Sequence, residues 1–228
     1  MTRQRGGEGP PRFRLYAWPT PNAQKVSIML EECALPYEVV AVDINKGEQF
    51  APEFLALSPN NRIPAMVDRE RDIALFESGA ILIYLAELSG RLMPDRYAAL
   101  QWLMFQIGGL GPMCGQAHHF RQMADVQIPY AVARYTNEVA RLYGVMDRRL
   151  GEAPYLAGEY SIADIACWPW VRPHRRQGQS LDDFPHLKRW FEAIGARPAV
   201  ERGMALLKDK RGSRELTQAA RGILFGQR

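Results

Sequence analysis

From Phe13 to about Ser89, short apolar runs alternate with stretches whose apolar residues recur every three or four positions. Phe13–Ala17 reads as a first strand, and Tyr37–Val42, rich in β-branched residues, reads as a second. Between them Val26, Ile28, Met29, Leu30 and Cys33 give Pro21–Ala34 the buried surface of a helix. A short helix is predicted around Pro52–Leu57, then strands at Ala65–Asp68 and Ile73–Phe76, then a helix over Ser78–Leu88. The order β-α-β followed by β-β-α predicts a small mixed sheet with helices covering its faces.

Past Arg91 the strand signal vanishes. After the polar connector Met93–Arg96, the pattern predicts helix after helix. Tyr97–Phe105 runs into a glycine-rich interruption at Gly108–Pro112. Long helical patterns follow at Tyr130–Leu150, Ser161–Val171 and Phe184–Arg197. A last helix is expected at Ala199–Leu207, weakened by Gly203 near its middle. The 228 residues suit two compact domains. The expected boundaries are a flexible leader at 1–12, an α/β domain at 13–92, an all-α domain at 96–210 and a basic tail at 211–228. Ser161 can cap the helix it opens while Asp164 reaches back to the cap, so Asp164 reads as structural.

Composition is that of a soluble globular protein, with 47% hydrophobic and 24% charged residues. No run of about 18 apolar residues predicts a membrane span. The first dozen residues lack the apolar stretch of a signal peptide, so a cytoplasmic location is expected. Net charge is +4, but it is unevenly placed. Residues 1–14 carry an excess of +3 and residues 208–228 an excess of +4, which leaves the body at −3. A face that tracks phosphates belongs on the folded body, so nucleic-acid binding is not expected. Cys33, Cys114 and Cys167 form no CxxC pair and read as small buried hydrophobes in a reducing compartment. His118 and His119 are neighbours on a helix, point in different directions and lack a further ligand at metal spacing. No GxSxG, P-loop, HExxH or GxGxxG motif is present.

Three segments carry chemistry when taken together. Thr20-Pro21-Asn22 starts a helix directly after the first strand, with Thr20 as cap and Pro21 at the first helical position. Amide donors and a partial positive charge gather there and favour a thiolate, to which the Asn22 amide can add a donor. Asn60-Asn61-Arg62-Ile63-Pro64 leads into a strand, and its X-Pro bond can be cis. If it is cis, the Ile63 backbone presents an open strand edge that a short peptide can extend. Phe76-Glu77-Ser78-Gly79 closes a strand and opens a helix. Ser78 and the neighbouring amides can hold a carboxylate, and Glu77 can pair with an ammonium. A ligand with an α-amino acid end, an extended peptide middle and a thiol satisfies all three segments. Glutathione is such a molecule.

The chain resembles bacterial glutathione transferases, most closely the Nu class, whose best activity is glutathione-dependent disulfide reduction. The resemblance runs from about Phe13 to Lys208 and rests on TPNAQKV, LSPNNRIPAMVD, FESGAILIYLAE, GGLGPM with HHF, and YSIADIACWPWV, all in order. It implies an N-terminal thioredoxin-like, glutathione-binding domain followed by a helical bundle. It implies that Thr20 and Asn22 contact the glutathione sulfur, that Ile63 pairs with the cysteinyl backbone, and that Pro64 is cis. Glu77 and Ser78 would hold the γ-glutamyl end, with Gln49 and Arg62 placed for the glycine end or a second glutathione. Arg134, beside Ile128-Pro129-Tyr130, would reach in from the helical domain. Ala23 stands where a glycine often follows the asparagine, and the tails lie outside the resemblance. The implied activity is disulfide-bond oxidoreduction with one or two glutathiones, or oxidised glutathione, per site and no metal. Conjugation of small electrophiles and a non-catalytic glutathione-binding role are the alternatives. A homodimer is implied as well.

Overall fold

A computed structural model of the chain describes residues 9–210 and 217–226. Residues 1–8 of the expected leader, and residues 211–216 and 227–228 of the expected tail, lie outside the described residues. The chain divides into two compact units, one made of the residues up to Leu85 with those from Arg202 onward, the other of Ala86–Glu201.

The first unit is built on a four-stranded sheet in the order β2-β1-β3-β4. Strand β1 (Phe13–Ala17) leads through α1 (Pro21–Glu32) to β2 (Tyr37–Ala41). Then come the short α2 (Pro52–Leu55), the strands β3 (Ala65–Asp68) and β4 (Ile73–Phe76), and α3 (Ser78–Ser89). β1 and β2 are parallel, with Phe13 beside Tyr37, while β1–β3 and β3–β4 are antiparallel. This is the thioredoxin-like arrangement the sequence implies.

Side chains alternate along β1 because successive residues face opposite sides of the sheet. Phe13, Leu15 and Ala17 are fully buried, as are Ala23, Val26, Met29 and Leu30 of α1 and Ile81, Leu82 and Leu85 of α3. A second cluster joins Val42, Phe54 and Ala65 with Tyr16, Leu57 and Ile63. Ile63 is therefore anchored by its side chain, while β3 starts two residues later at Ala65.

The charges at the start of β1 are spent within the fold. Arg12 donates to both oxygens of Asp68, at 2.9 and 2.6 Å, and also pairs with Glu70. Tyr84 donates to Asp68 as well, at 2.5 Å. Arg14 and Arg69 share Glu38.

The second unit is all helix. It contains α4 (Arg96–Phe105), α5 (Gly111–His118), α6 (Pro129–Glu152), α7 (Ile162–Val171) and α8 (Pro185–Gly195). Asp95 caps α4 by accepting from the Tyr97 and Ala98 amides. The expected glycine-rich interruption does not break the chain. It stays helical through a widened π-type turn at Gln106–Leu110 that runs into α5. Small residues allow this: a Cβ on Gly111 would lie 2.6 Å from the Gln106 amide and 3.6 Å from the Trp170 ring.

The Ser161–Asp164 capping box forms as the sequence predicts. Asp164 also accepts from the Leu156 amide at 3.1 Å and from the Trp190 indole at 2.8 Å.

Helix α9 spans Pro198–Met204, shorter than the sequence suggests. Gly203 does more there than weaken it. A Cβ at that position would lie 2.6 Å from the Ile28 backbone, and Ser27 Oγ donates to the Gly203 carbonyl at 2.7 Å. This close approach to α1 accompanies the grouping of the residues from Arg202 onward with the sheet. The expected basic tail contains a further helix, α10 (Gln218–Phe225), capped by Thr217. Among the described residues, no helix is long and apolar enough to cross a membrane.

Candidate functional site

A cleft of about 270 Å³ opens in the α/β unit. Asn22, Ser58, Asn60, Arg62, Ile63, Pro64, Glu77 and Ser78 line it. Three loops at one end of the sheet supply these residues: the turn into α1, the loop after α2 and the turn from β4 into α3. The sequence had singled out one segment in each.

The first loop follows β1. Thr20 stands at the N-cap of α1 with extended backbone, and Pro21 opens the helix, as expected. The Thr20 hydroxyl, however, makes no capping bond. Its Oγ1 is buried and has no hydrogen-bond partner. A tight turn accompanies this, in which the Thr20 N–H donates to the Trp18 carbonyl at 2.6 Å. A buried hydroxyl left this way costs about 1–3 kcal/mol. The Thr20 hydroxyl is thus left without the cap bond its position offers.

In the second loop the Ile63–Pro64 bond is cis. Ser58 ties the loop down: its buried hydroxyl donates to the Arg62 carbonyl at 2.8 Å. Asn61 sits at φ 49°, a left-handed conformation that asparagine tolerates better than most residues.

The third loop carries the clearest strain. Glu77 has φ 71°, an uncommon conformation for a long side chain. Its carbonyl accepts the first α3 hydrogen bond, from the Ile81 amide at 3.0 Å. Ser78 then begins the helix, only 5% exposed, and its Oγ accepts from Lys25 Nζ at 3.2 Å.

Of the residues the sequence assigned to the site, Asn22, Arg62, Ile63, Pro64, Glu77 and Ser78 share this cleft. Thr20 lies two residues before Asn22 but is not on the wall. Gln49 is buried, with Oε1 unpartnered, in a short helical turn after Gly47. Arg134 belongs to the other unit, where it is exposed on α6 and pairs with Glu138 at 3.5 Å. Sequence reasoning missed Ser58, Asn60 and Lys25. Asn60 stands inside the Asn60–Pro64 segment and Ser58 two residues before it, and Lys25 is three residues past Asn22 on the same helix face.

The remaining candidates are accounted for elsewhere. No disulfide joins the three cysteines, all of which are buried, and burial pushes the Cys114 thiol well up. His118 is held low by burial, with the Pro173 backbone as partner. Among the described residues, no group of three or more His, Cys, Asp or Glu is placed to hold a metal ion.

Comparison with known proteins adds three findings. Residues 11–87 match the family model for the glutathione S-transferase N-terminal domain, and residues 127–198 match that for the C-terminal domain. The chain is 52% identical over 208 residues to the disulfide-bond oxidoreductase YfcG of Escherichia coli K12, covering 87% of this chain and 96% of that protein. Among solved structures, it is similar to a glutathione transferase family member from Pseudomonas fluorescens with two glutathiones bound. The TM-score is 0.81 and the identity 47%, over 87% of this chain and 94% of that one. A glutathione transferase from Pseudomonas putida, with one glutathione disulfide per subunit, matches at TM-score 0.83 and 46% identity, over 88% of this chain and 94% of that one.

Proposed function

The chain belongs to the glutathione S-transferase family, and from that premise we propose that it is a glutathione-dependent disulfide-bond oxidoreductase. The observation that carries this reading is the single cleft that gathers Asn22, Arg62, Ile63, Pro64, Glu77 and Ser78. Its polar ends suit the two ends of a tripeptide, and its cis-proline wall suits the middle.

Glu77 and Ser78 hold the γ-glutamyl ammonium and carboxylate, the latter helped by the α3 amides. Ile63 pairs with the cysteinyl backbone. Asn22 and the unpartnered Thr20 hydroxyl face the sulfur, where both can donate to a thiolate. Gln49 and Arg62 serve the glycine end or a second glutathione. Two solved relatives, with two glutathiones or one glutathione disulfide, support room for a pair of ligands.

Glutathione supplies the reacting sulfur: one thiolate attacks the substrate disulfide, a second completes the exchange, and two substrate thiols and one oxidised glutathione result. No cysteine of this chain stands at the end of β1 to take that part. The protein's share is then a question of magnitude. A thiol near pKa 8.5 is about 3% ionised at pH 7, and lowering it by about two units gives roughly 25-fold more thiolate. Nucleophilicity falls about 10-fold over the same change, at a Brønsted slope near 0.5. Acidification therefore nets only about two- to threefold. Holding the reacting sulfurs in line is the larger effect, since effective molarities of oriented groups reach about 10⁵ M.

Buried cysteines free of disulfides fit a reducing, cytoplasmic setting, and the family's symmetric homodimer is the expected assembly. The reading is tested by glutathione-dependent reduction of a small model disulfide, coupled to NADPH oxidation through glutathione reductase. Wild type should turn over well above the spontaneous rate, and Asn22→Ala should lose tenfold or more. Turnover no faster than the uncatalysed exchange would overturn the proposal.

A further inference from the structure

Lys25 is 1% exposed, one of the largest fully buried side chains in the protein. Lysine is almost never buried to this degree without a partner, because removing an ammonium from water is costly. Here the buried nitrogen reaches Ser78 Oγ, at 3.2 Å. Ser78 is itself on the wall of the cleft. Asn22 and Lys25 are three residues apart on α1, so one helix face carries a residue that lines the cleft and a residue that backs it.

The direction of this hydrogen bond matters. An ammonium has three donors and no acceptor, whereas a hydroxyl has one donor and two lone pairs. Lys25 therefore occupies a lone pair of Ser78 from behind. The Ser78 proton is then left to point away from Lys25, toward the cleft. A serine without such a backing amine can turn its proton to any nearby acceptor, its own helix included. With it, Ser78 presents a donor to whatever enters the cleft, next to the first amides of α3.

We propose that Lys25 is a positioning residue for glutathione: it fixes Ser78 as a donor to the γ-glutamyl α-carboxylate and places positive charge behind that contact. This rests on the proposed function, in which the γ-glutamyl end lies at Glu77 and Ser78. Lys25 does not touch the reacting sulfur. Its removal should weaken glutathione binding and leave the chemical step nearly intact.

The test compares glutathione with γ-aminobutyryl-cysteinylglycine, which lacks only that α-carboxylate. Affinities are read by calorimetry, and KM and kcat by the coupled disulfide assay. Lys25→Met removes the donor and the charge with little change in volume. It should raise the KM for glutathione about 10- to 100-fold, the range for a hydrogen bond to a charged group, with kcat within about threefold. Affinity for the analogue should not move, so the preference for glutathione collapses. In a Ser78→Ala background, adding Lys25→Met should cost less than it does in the wild type, because only the contribution of the charge is left to lose. Lys25→Gln keeps an N–H for Ser78 without the charge and should retain a preference between the two extremes. It carries the same test if the apolar variant does not fold.

A Lys25 variant that keeps the full wild-type preference for glutathione overturns the proposal while leaving the site reading intact. A wild-type protein that does not distinguish the two ligands overturns the site reading, and the proposal falls with it.

Discussion

Two buried polar arrangements, one in each unit, have opposite character. In the helical unit Asp164 is completely buried, and its two oxygens accept from Ser161, Leu156 and Trp190. Nothing is left over. In the α/β unit Thr20 Oγ1 and Gln49 Oε1 are buried with no partner at all. Folding selects strongly against the second condition, since each such atom costs about 1–3 kcal/mol. Thr20 stands two residues before Asn22 of the cleft wall, and on the proposed function a ligand atom completes its bond. Satisfied buried polarity holds a fold; of the unsatisfied atoms, Thr20 Oγ1 is the one the proposed function gives to a ligand, whereas His118 Nε2 in the helical unit is buried without a partner and has no such role.

The contrast breaks most visibly at Asp164. Asp164→Ala would leave the Ser161 and Leu156 amides and the Trp190 indole buried without an acceptor. Stability should fall by about 3–5 kcal/mol, read from the midpoint of urea unfolding. Glutathione affinity of the protein that remains folded should be unchanged. A loss below about 1 kcal/mol would mean that a saturated buried carboxylate is not structural here, and the comparison would fail at its firmer end. Burial pushes the Asp164 carboxyl up to about 6 although every donor around it pulls the other way. No cation stands among those donors. This side chain is retained for the bonds it accepts, at a cost in charge.

A sharper version comes from Asp68, which is fully buried in the same unit as Thr20. Burial raises its pKa, but the Arg12 guanidinium, the Tyr84 hydroxyl and the Glu70 amide outweigh it and bring the group to about 2. Within the α/β unit, then, Asp68 is buried and fully partnered while Thr20 Oγ1 and Gln49 Oε1 are buried and are not. A folded pKa below the ordinary 3.8 contributes stability that is complete above about pH 4 and is lost as pH falls through 2. The stability difference between wild type and Asp68→Asn should shrink by about 2 kcal/mol between pH 5 and pH 2. A difference that stays constant over that window would show that Arg12 does not hold the carboxylate.

Much of this was legible in the chain. Strands β3 and β4 begin and end where the pattern of alternation places them, because a period of two over four residues leaves little freedom. The Ser161–Asp164 cap was legible because its logic spans only four residues. The errors share one physical origin, which is contact between residues distant in sequence. Gly203 reads as a weak point until Ile28 is seen against it, and the glycines near 108–112 read as a break until Trp170 is seen. In the site, the residue types were legible but their bonding was not. Thr20 looks like a cap, and only the geometry shows its hydroxyl unused. Lys25 has no role in the sequence reading, and only the fold brings it behind Ser78, 53 residues away.

The smallest expected effect on stability is the one that separates the two kinds of buried polarity most cleanly. Thr20→Val replaces the unpartnered hydroxyl by a methyl group of nearly the same shape. A hydroxyl that made a good bond would be missed, and the variant would lose about 1 kcal/mol. Thr20 makes none, so the substitution should leave stability unchanged or raise it by up to about 1 kcal/mol through relief of an unmet desolvation cost. On the proposed function, glutathione-dependent turnover should fall about tenfold in the same protein, because a donor to the sulfur is gone. Thermal melting and the coupled disulfide assay on one preparation read both quantities. A variant that is less stable and fully active would place the hydroxyl in the fold's own bonding, and the distinction drawn from Asp164 and Thr20 would not hold. A variant that is as stable as wild type but slow marks Thr20 as a residue the fold carries for its ligand.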